Sequence, residues 1–211
     1  MKTFKFCLIS IIALAFVACS NVEDDYIENN SSSFESIKVL YGIESVNDMT
    51  DVDSVPSVTT EEIEGVLEAL RQNSNATREC KSENIERYFG KDGDKQSVKM
   101  LAEYQARTRS GTFLEEFALC VSLNFNVSKD AVYYIGTTYS SSTDLFSWKG
   151  YGASLSTTAE GGNVFTATTH LYFRVSDQRN CLVKVPVDFK GNYNFNIGHG
   201  TYCFALSHCH K

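Results

Sequence analysis

Histidine and cysteine residues concentrate near the C-terminus, where they could bind a metal or take part in catalysis. The cluster consists of His199, Cys203, His208, Cys209 and His210. On a continuing strand, His208 and His210 would project to one side and could coordinate a metal ion. The two cysteines would face the other side, and the spacing matches no established zinc motif. A hydrolase or metal-dependent site here is therefore one alternative for function, and no cofactor is predicted.

Aromatic residues surround a serine-rich segment, residues 140–142, and could form a different kind of site. If their rings face outward, they could stack on sugars or contact a protein, because amphipathic aromatics favour interfaces. If they face inward, they form part of a core rich in Phe and Tyr. The residues predicted to bind a ligand are Tyr139, Phe146, Trp148 and Tyr151.

The N-terminus has the pattern of a secretory signal peptide. Lys2 and Lys5 precede an apolar run over residues 6–17, which is followed by small residues and then by acidic ones. An apolar run of this length is too short to cross a bilayer as a helix. Residues 1–18 are therefore predicted to be removed on export.

Two features at this end resemble bacterial lipoproteins. The tetrapeptide Phe16-Val17-Ala18-Cys19 resembles their lipobox, and the acids that follow resemble an export signal of Bacteroidota lipoproteins. The resemblance implies cleavage before Cys19 and acylation, including palmitate, at that residue. More than one acyl chain would give a stable membrane anchor. It also implies attachment to the outer membrane, with display on the cell surface as one arrangement.

The segment after Cys19 is strongly acidic. Residues 21–68 contain thirteen acidic residues and one base, Lys38, which gives a net charge of −12. Residues 19–34 are therefore predicted to be a lipidated, extended tether, and residues 37–43 a first strand or the end of that tether.

The sequence Asp53-Ser54-Val55 matches a Bacteroidota O-glycosylation pattern at Ser54. No basic stripe interleaved with aromatics occurs, so nucleic-acid binding is not expected.

One short helix is predicted over residues 59–72. Thr59 and Glu62 form a capping box, and four apolar residues follow on one face of the helix. These residues are Ile63, Val66, Leu67 and Leu70.

The rest of the chain predicts strands, because apolar residues alternate with polar ones. The clearest alternation covers residues 117–127. Residues 35–211 are therefore predicted to form one antiparallel β-sandwich domain with an N-terminal helix. Gly161-Gly162 is read as a hairpin turn, with a one-residue shift that places Tyr151 opposite Phe173. The other predicted strands cover residues 131–139, 146–158, 164–175, 181–189, 193–197 and 202–206.

Five cysteines remain after the signal peptide and Cys19 are set aside. Cys181 alternates with apolar residues and is predicted to be a buried thiol. Because cysteines outside the cytoplasm tend to pair, any disulfide should come from the other four. That pool consists of Cys80, Cys120, Cys203 and Cys209.

The leading functional hypothesis is a non-enzymatic binding or interaction module for a glycan or protein, anchored to the outer membrane. The second hypothesis is the hydrolase or metal-dependent site at the C-terminus. The third is a structural role in an envelope assembly. A pocket joining His199 or His208 to a carboxylate would favour an enzyme. Exposed aromatics would favour binding, and an unpaired strand edge would favour assembly.

Overall fold

The computed structural model describes residues 24–47, 54–81, 94–127, 132–157, 162–194 and 197–209. The chain divides into two units, Met1–Ser36 and Ile37–Lys211. The described residues contain two α-helices, α1 (Asp24–Tyr41) and α2 (Thr60–Gln72). They also contain eleven strands: β1 (Glu44–Ser45), β2 (Ser57–Val58), β3 (Arg78–Lys81), β4 (Asp94–Arg107), β5 (Phe113–Val127), β6 (Val132–Ser141), β7 (Ser147–Lys149), β8 (Ser154–Thr157), β9 (Asn163–Val175), β10 (Cys181–Asn194) and β11 (His199–Leu206).

The strands form two sheets in the unit Ile37–Lys211. The larger sheet has the order β2-β9-β10-β11-β3, with β7 and β8 also paired to β9 and β1 paired to β10. The smaller sheet has the order β4-β5-β6 and is antiparallel throughout. All pairs in the larger sheet are antiparallel except the short β2–β9 pair. The mainly β, antiparallel fold predicted from the sequence is confirmed.

The core lies between the two sheets and combines aliphatic side chains with contacting aromatic rings. Phe125 of β5 contacts Phe165 of β9, with ring centroids 5.9 Å apart. Phe117 of β5 meets Phe146 edge-on at 5.4 Å. Such edge-to-face pairs stabilise a core beyond the burial of their area. The alternating inward residues of both sheets therefore meet as in a β-sandwich.

Helix α2 begins with the predicted capping box. Thr59 Oγ1 accepts from the Glu62 N–H, and the Thr59 N–H donates to the Glu62 carboxylate at 2.7 Å. The Asp177 carboxylate, in the β9–β10 turn, also accepts from the N–H and the hydroxyl of Thr60. A carboxylate here satisfies free N–H groups and interacts favourably with the helix dipole. The helix is thereby fixed to the larger sheet, and its apolar face is buried.

A second helix, α1, occupies residues where an irregular tether and a first strand were predicted. Ile37 and Tyr41 are buried, whereas Val39 and Leu40 are 75% and 55% exposed, which is a helical and not an alternating pattern. Gly42 ends the helix with φ +65°, and the Ile43 N–H donates to the Lys38 carbonyl at 2.9 Å. This is a Schellman C-cap, for which glycine is the preferred residue. The predicted strand over residues 37–43 is therefore wrong.

The strand boundaries differ from prediction at two glycine positions. Strand β10 continues through Gly191, where a turn was expected, because Gly191 allows close packing. A Cβ atom there would lie 2.9 Å from Met100 Sδ and from Phe189 Cζ.

Before Gly161-Gly162, β8 and β9 pair Thr157 with Asn163, so the favoured register, with Tyr151 opposite Phe173, is wrong. Trp148 and Leu171 are paired instead, and residues 150–153 separate β7 from β8.

Candidate functional site

The most prominent surface feature near the predicted aromatic residues is the loop between β7 and β8, residues 150–153. Tyr151 lies on this loop with 79% of its surface exposed. Gly152 has φ +110°, a conformation that residues with side chains rarely adopt. The loop conformation therefore requires glycine beside Tyr151 and directs the tyrosine away from the core.

Tyr139 of β6 supports this loop from below. Its hydroxyl donates to the Gly152 carbonyl at 2.7 Å. Its ring lies so close to Gly150 that a Cβ atom there would be 2.5 Å from Tyr139 Cε2. Burial raises the pKa of Tyr139 to about 12, with a smaller contribution from nearby Tyr134. The hydroxyl therefore stays protonated, and able to donate, at physiological pH.

Trp148 packs against Tyr139 and holds it in place, whereas Phe146 belongs to the core. The Trp148 ring meets Tyr139 edge-on at 5.4 Å. Trp148 Nε1 donates to Thr169 Oγ1 at 2.8 Å, and Thr169 Oγ1 donates to the Val187 carbonyl at 2.9 Å. Phe146 is 2% exposed and packs in the core. Of the four predicted ligand-binding aromatics, Tyr151 alone is strongly exposed; Tyr139 and Trp148 support its loop, and Phe146 packs against Phe117 and Phe173 in the core.

Three further apolar side chains are exposed on β6, the strand that carries Tyr139, and on β8, the strand that follows the loop. Tyr133 and Ile135 of β6 are 61% and 54% exposed, and Leu155 of β8 is 44% exposed. Sequence reasoning did not single out the glycines, Ile135 or Leu155. The Gly-Tyr-Gly triplet at residues 150–152 was the available signal, because glycines on both sides of an aromatic indicate a constrained turn.

The structure does not bring the C-terminal histidines together. His199 opens β11 and lies 3.7 Å from the Glu79 carboxylate, on the sheet surface. His208 lies beyond the other end of β11, against Gly42. A strand rises about 3.4 Å per residue, so the two ends of β11 are roughly 24 Å apart. Among the described residues, no group of three or more His, Cys, Asp or Glu side chains could hold a metal ion. His210 and the side chain of Cys209 lie outside the described part of the chain.

The cysteines of the predicted disulfide pool occupy separate places. Cys80 lies on β3, not in the loop expected, and its side chain is buried beside Gly200. Cys120 is half-buried next to Ser122 on the solvent side of β5. Cys80, Cys120 and Cys203 are all free thiols. Cys181, predicted to be buried, is only half-buried, because it begins its strand.

The predicted modification sites divide between described and undescribed residues. Cys19 lies outside the described residues, as does Asp53. Ser54 is exposed, and its carbonyl accepts from the Ser147 hydroxyl at 3.0 Å. Among the residues that the structure describes, no helix is both long enough and apolar enough to span a membrane.

Comparison with known proteins identifies the class to which this fold and surface belong. Residues 25–206 match the model of a family described as "Domain of unknown function (DUF5033)". The chain therefore belongs to the DUF5033 family. No curated protein and no solved structure matches the chain.

Proposed function

We propose that this DUF5033 protein is a non-enzymatic binding module that contacts a glycan or protein ligand through the Tyr151 loop. The observation that carries the proposal is the contrast between Tyr151, 79% exposed, and the layer beneath it. That layer fixes the loop through the hydrogen bond from Tyr139 to Gly152 and through the tight contact with Gly150.

A fixed, exposed tyrosine is well suited to binding. Tyrosine offers a large amphipathic contact area and loses few rotamers when it binds. Because the loop is already held in one conformation, less entropy is lost on association. Rigid aromatic anchors of this kind commonly dominate interface energetics.

The proposal includes display at the outer membrane by lipid on Cys19. The family match begins at residue 25, six positions after this cysteine. The signal-peptide pattern and the lipobox-like tetrapeptide thus precede the family domain, as an export leader and its lipid attachment site would. A ligand encountered by the Tyr151 loop would then be one present in the cell envelope or outside the cell.

The test is direct binding of the fluorescently labelled full chain to a glycan array and to immobilised envelope proteins. We expect at least one specific signal, which Tyr151→Ser weakens by roughly tenfold, since anchor residues contribute about 1–2 kcal/mol or more. Tyr139→Phe removes only the hydrogen bond to Gly152 and should weaken the same signal less.

Tyr133→Ser is the matched control, because Tyr133 is also a highly exposed tyrosine but lies on β6 outside the loop. Its signal should match that of the wild type. Equal losses for Tyr133→Ser and Tyr151→Ser would indicate general stickiness of exposed aromatics. No Tyr151-dependent signal on either surface would contradict the proposal.

Strand β6 favours envelope assembly as a second candidate function. Within the described residues, β6 pairs with β5 and forms one edge of the smaller sheet. Exposed Tyr133 and Ile135 lie on this edge strand. Such an edge can pair with another chain. Sedimentation of the full chain as a concentration-dependent oligomer, reversed by Ile135→Lys, would support assembly, and a monomer at all concentrations would oppose it.

A further inference from the structure

A second surface feature, unrelated to the Tyr151 loop, is a groove of about 670 Å³ beside α2. One wall is formed by the last residues of α2, and the floor by neighbouring parts of β4 and β5. The small side chains of Ala69 and Ala118 leave the space open. The volume lies within the range of ligand-binding pockets, roughly 300–1,000 Å³.

The polar side chains of this groove are held by hydrogen bonds to one another. Gln105 Nε2 donates to Glu116 Oε1 at 2.9 Å. Gln105 Oε1 in turn accepts from Arg107 Nη2 at 3.4 Å. Arg107 Nη1 also donates to the Gly111 carbonyl. The chain of contacts orients an amide, a carboxylate and a guanidinium group along the two strands.

Two amides at the C-terminal end of α2, those of Gln72 and the C-cap residue Asn73, are each fixed by one N–H donor and keep their oxygen atoms unused. Gln72 Nε2 donates to Glu68 Oε1 at 2.9 Å, and Asn73 Nδ2 donates to the Ala69 carbonyl at 2.9 Å. Within the part of the chain that the structure describes, no hydrogen bond uses Gln72 Oε1 or Asn73 Oδ1. Groups oriented in advance bind a ligand at a lower entropic cost.

Glu103 adds a further open acceptor. It is exposed on β4, lines the groove, and has no hydrogen-bond partner among the described residues. Glu116 Oε2 is likewise unused by any described group. The groove therefore presents several acceptor oxygens, and a complementary ligand must be rich in hydrogen-bond donors.

The charge of the groove narrows the class of ligand. Its charged side chains are Glu103, Glu116 and Arg107, which give a net charge of −1. Sulfated or phosphorylated ligands are disfavoured by the two carboxylates. Sugar hydroxyls donate to carboxylate and amide oxygens, and their oxygens can accept from Arg107. A neutral saccharide, whose hydroxyl groups both donate and accept, therefore matches the acceptor oxygens and the Arg107 guanidinium.

We infer that this groove binds a neutral oligosaccharide, with Glu103, Glu116 and the amides of Gln72, Asn73 and Gln105 receiving its hydroxyl groups. This inference does not rest on the Tyr151 loop, which shares no residue with the groove. The assay is titration of the full-length chain with cellotetraose, maltotetraose, mannotetraose and xylotetraose, followed by calorimetry and by amide shifts in NMR spectra.

At least one tetrasaccharide should bind and shift the amide signals of residues 103–107 and 116–118. Glu103→Ala and Gln105→Ala should each weaken binding roughly tenfold, because each removes hydrogen bonds and one of them is charge-assisted. Glu61→Ala is the matched control, since Glu61 is also an exposed glutamate without a described partner but lies at the other end of α2. It should bind as the wild type does.

One competitor, a change in salt concentration and one variant make the inference refutable. Tetralysine should not displace the bound saccharide, and added salt should leave saccharide affinity unchanged, because the ligand is neutral. Tyr151→Ser should also leave affinity unchanged. The inference is overturned if none of the four saccharides binds at millimolar concentration, if tetralysine binds the groove in their place, or if Tyr151→Ser abolishes saccharide binding.

Discussion

Replacing Gly150 with alanine tests whether Tyr139 really fixes the Tyr151 loop. The added Cβ atom would lie 2.5, 2.7 and 2.8 Å from Cε2, Cζ and Cδ2 of the Tyr139 ring. All three distances are well below van der Waals contact. The ring cannot easily move away, because its hydroxyl bonds the Gly152 carbonyl and Trp148 packs against it.

The expected cost of Gly150→Ala follows from this crowding. Overpacking a fixed side chain typically costs about 1–3 kcal/mol. For a domain of this size, that lowers the melting temperature by about 2–12 °C. The same change should weaken ligand binding, because the loop must shift to relieve the contact. Trp148 is the only tryptophan of the chain and contacts Tyr139, so its fluorescence reports unfolding and local rearrangement together.

Gly136→Ala is the matched control for this prediction. Gly136 lies in β6, the strand of Tyr139, and a Cβ atom there meets nothing within 4 Å. Its effect should stay within about 0.5 kcal/mol, because the added methyl group meets no other atom. Both variants make the same chemical change, so any difference between them reflects the contact with Tyr139.

A double-mutant cycle separates crowding from other effects of alanine at residue 150. Tyr139→Leu removes the ring that the new methyl group would meet. In that background, Gly150→Ala should cost at least about 1 kcal/mol less than in the wild type, because contacting residues are energetically coupled. Chemical denaturation of the four proteins measures the coupling. A cost for Gly150→Ala below about 0.5 kcal/mol, or equal costs in both backgrounds, would refute the reasoning.

Three further predictions concern the anchor, a surface carboxylate and a buried hydrogen bond. Cys19→Ala should release the protein from the membrane fraction; an unmodified Cys19 in the native protein, found by mass spectrometry, would contradict lipidation. Hydrogen bonding from Arg71 lowers the pKa of Glu68 from 4.5 to about 2. Its stabilising contribution is therefore present above about pH 4.5 and is lost as the pH falls towards 2. Glu68→Gln should flatten this acid limb in denaturation experiments, and an unchanged limb would show that other groups cause it. Thr169→Val leaves buried Trp148 Nε1 without its acceptor and should cost about 1–3 kcal/mol, with a change in tryptophan emission; stability equal to that of the wild type would show that the bond contributes nothing.

The strands with one apolar face could be predicted from the sequence. In β5, the inward positions from Phe117 to Phe125 are all apolar and buried, and polar or small residues occupy the other face. Period-two alternation of this kind directly reflects the pleat of a half-buried strand. The capping box of α2 was equally readable, because Thr59 and Glu62 form it through local contacts.

Glycines were harder to interpret, because one residue type serves several backbone roles. Gly191 was expected to make a turn but lies in a continuous strand under Met100. Gly42 was given no role but ends α1 in a left-handed conformation. Which role a glycine plays depends on packing partners distant in sequence. At α1, the many acidic residues predicted a tether, although the spacing of Ile37 and Tyr41 is typical of a helix.

The two proposed ligand sites differ in how far the sequence could reveal them. The difference depends on whether the residues of a site are close together in the sequence. The Tyr151 loop and its supporting residues Tyr139 and Trp148 lie within a short stretch of sequence, so an unusual density of aromatics marked the region. The groove draws on α2, β4 and β5, and its polar residues each look like an ordinary solvent-facing position. Only the pairing of Gln105 with Glu116 across β4 and β5, and the approach of Gln72 from α2, turns separate polar residues into one oriented surface. A site made of tertiary contacts between unremarkable residues has no local signature, and binding experiments on the groove therefore test what the fold adds to the sequence.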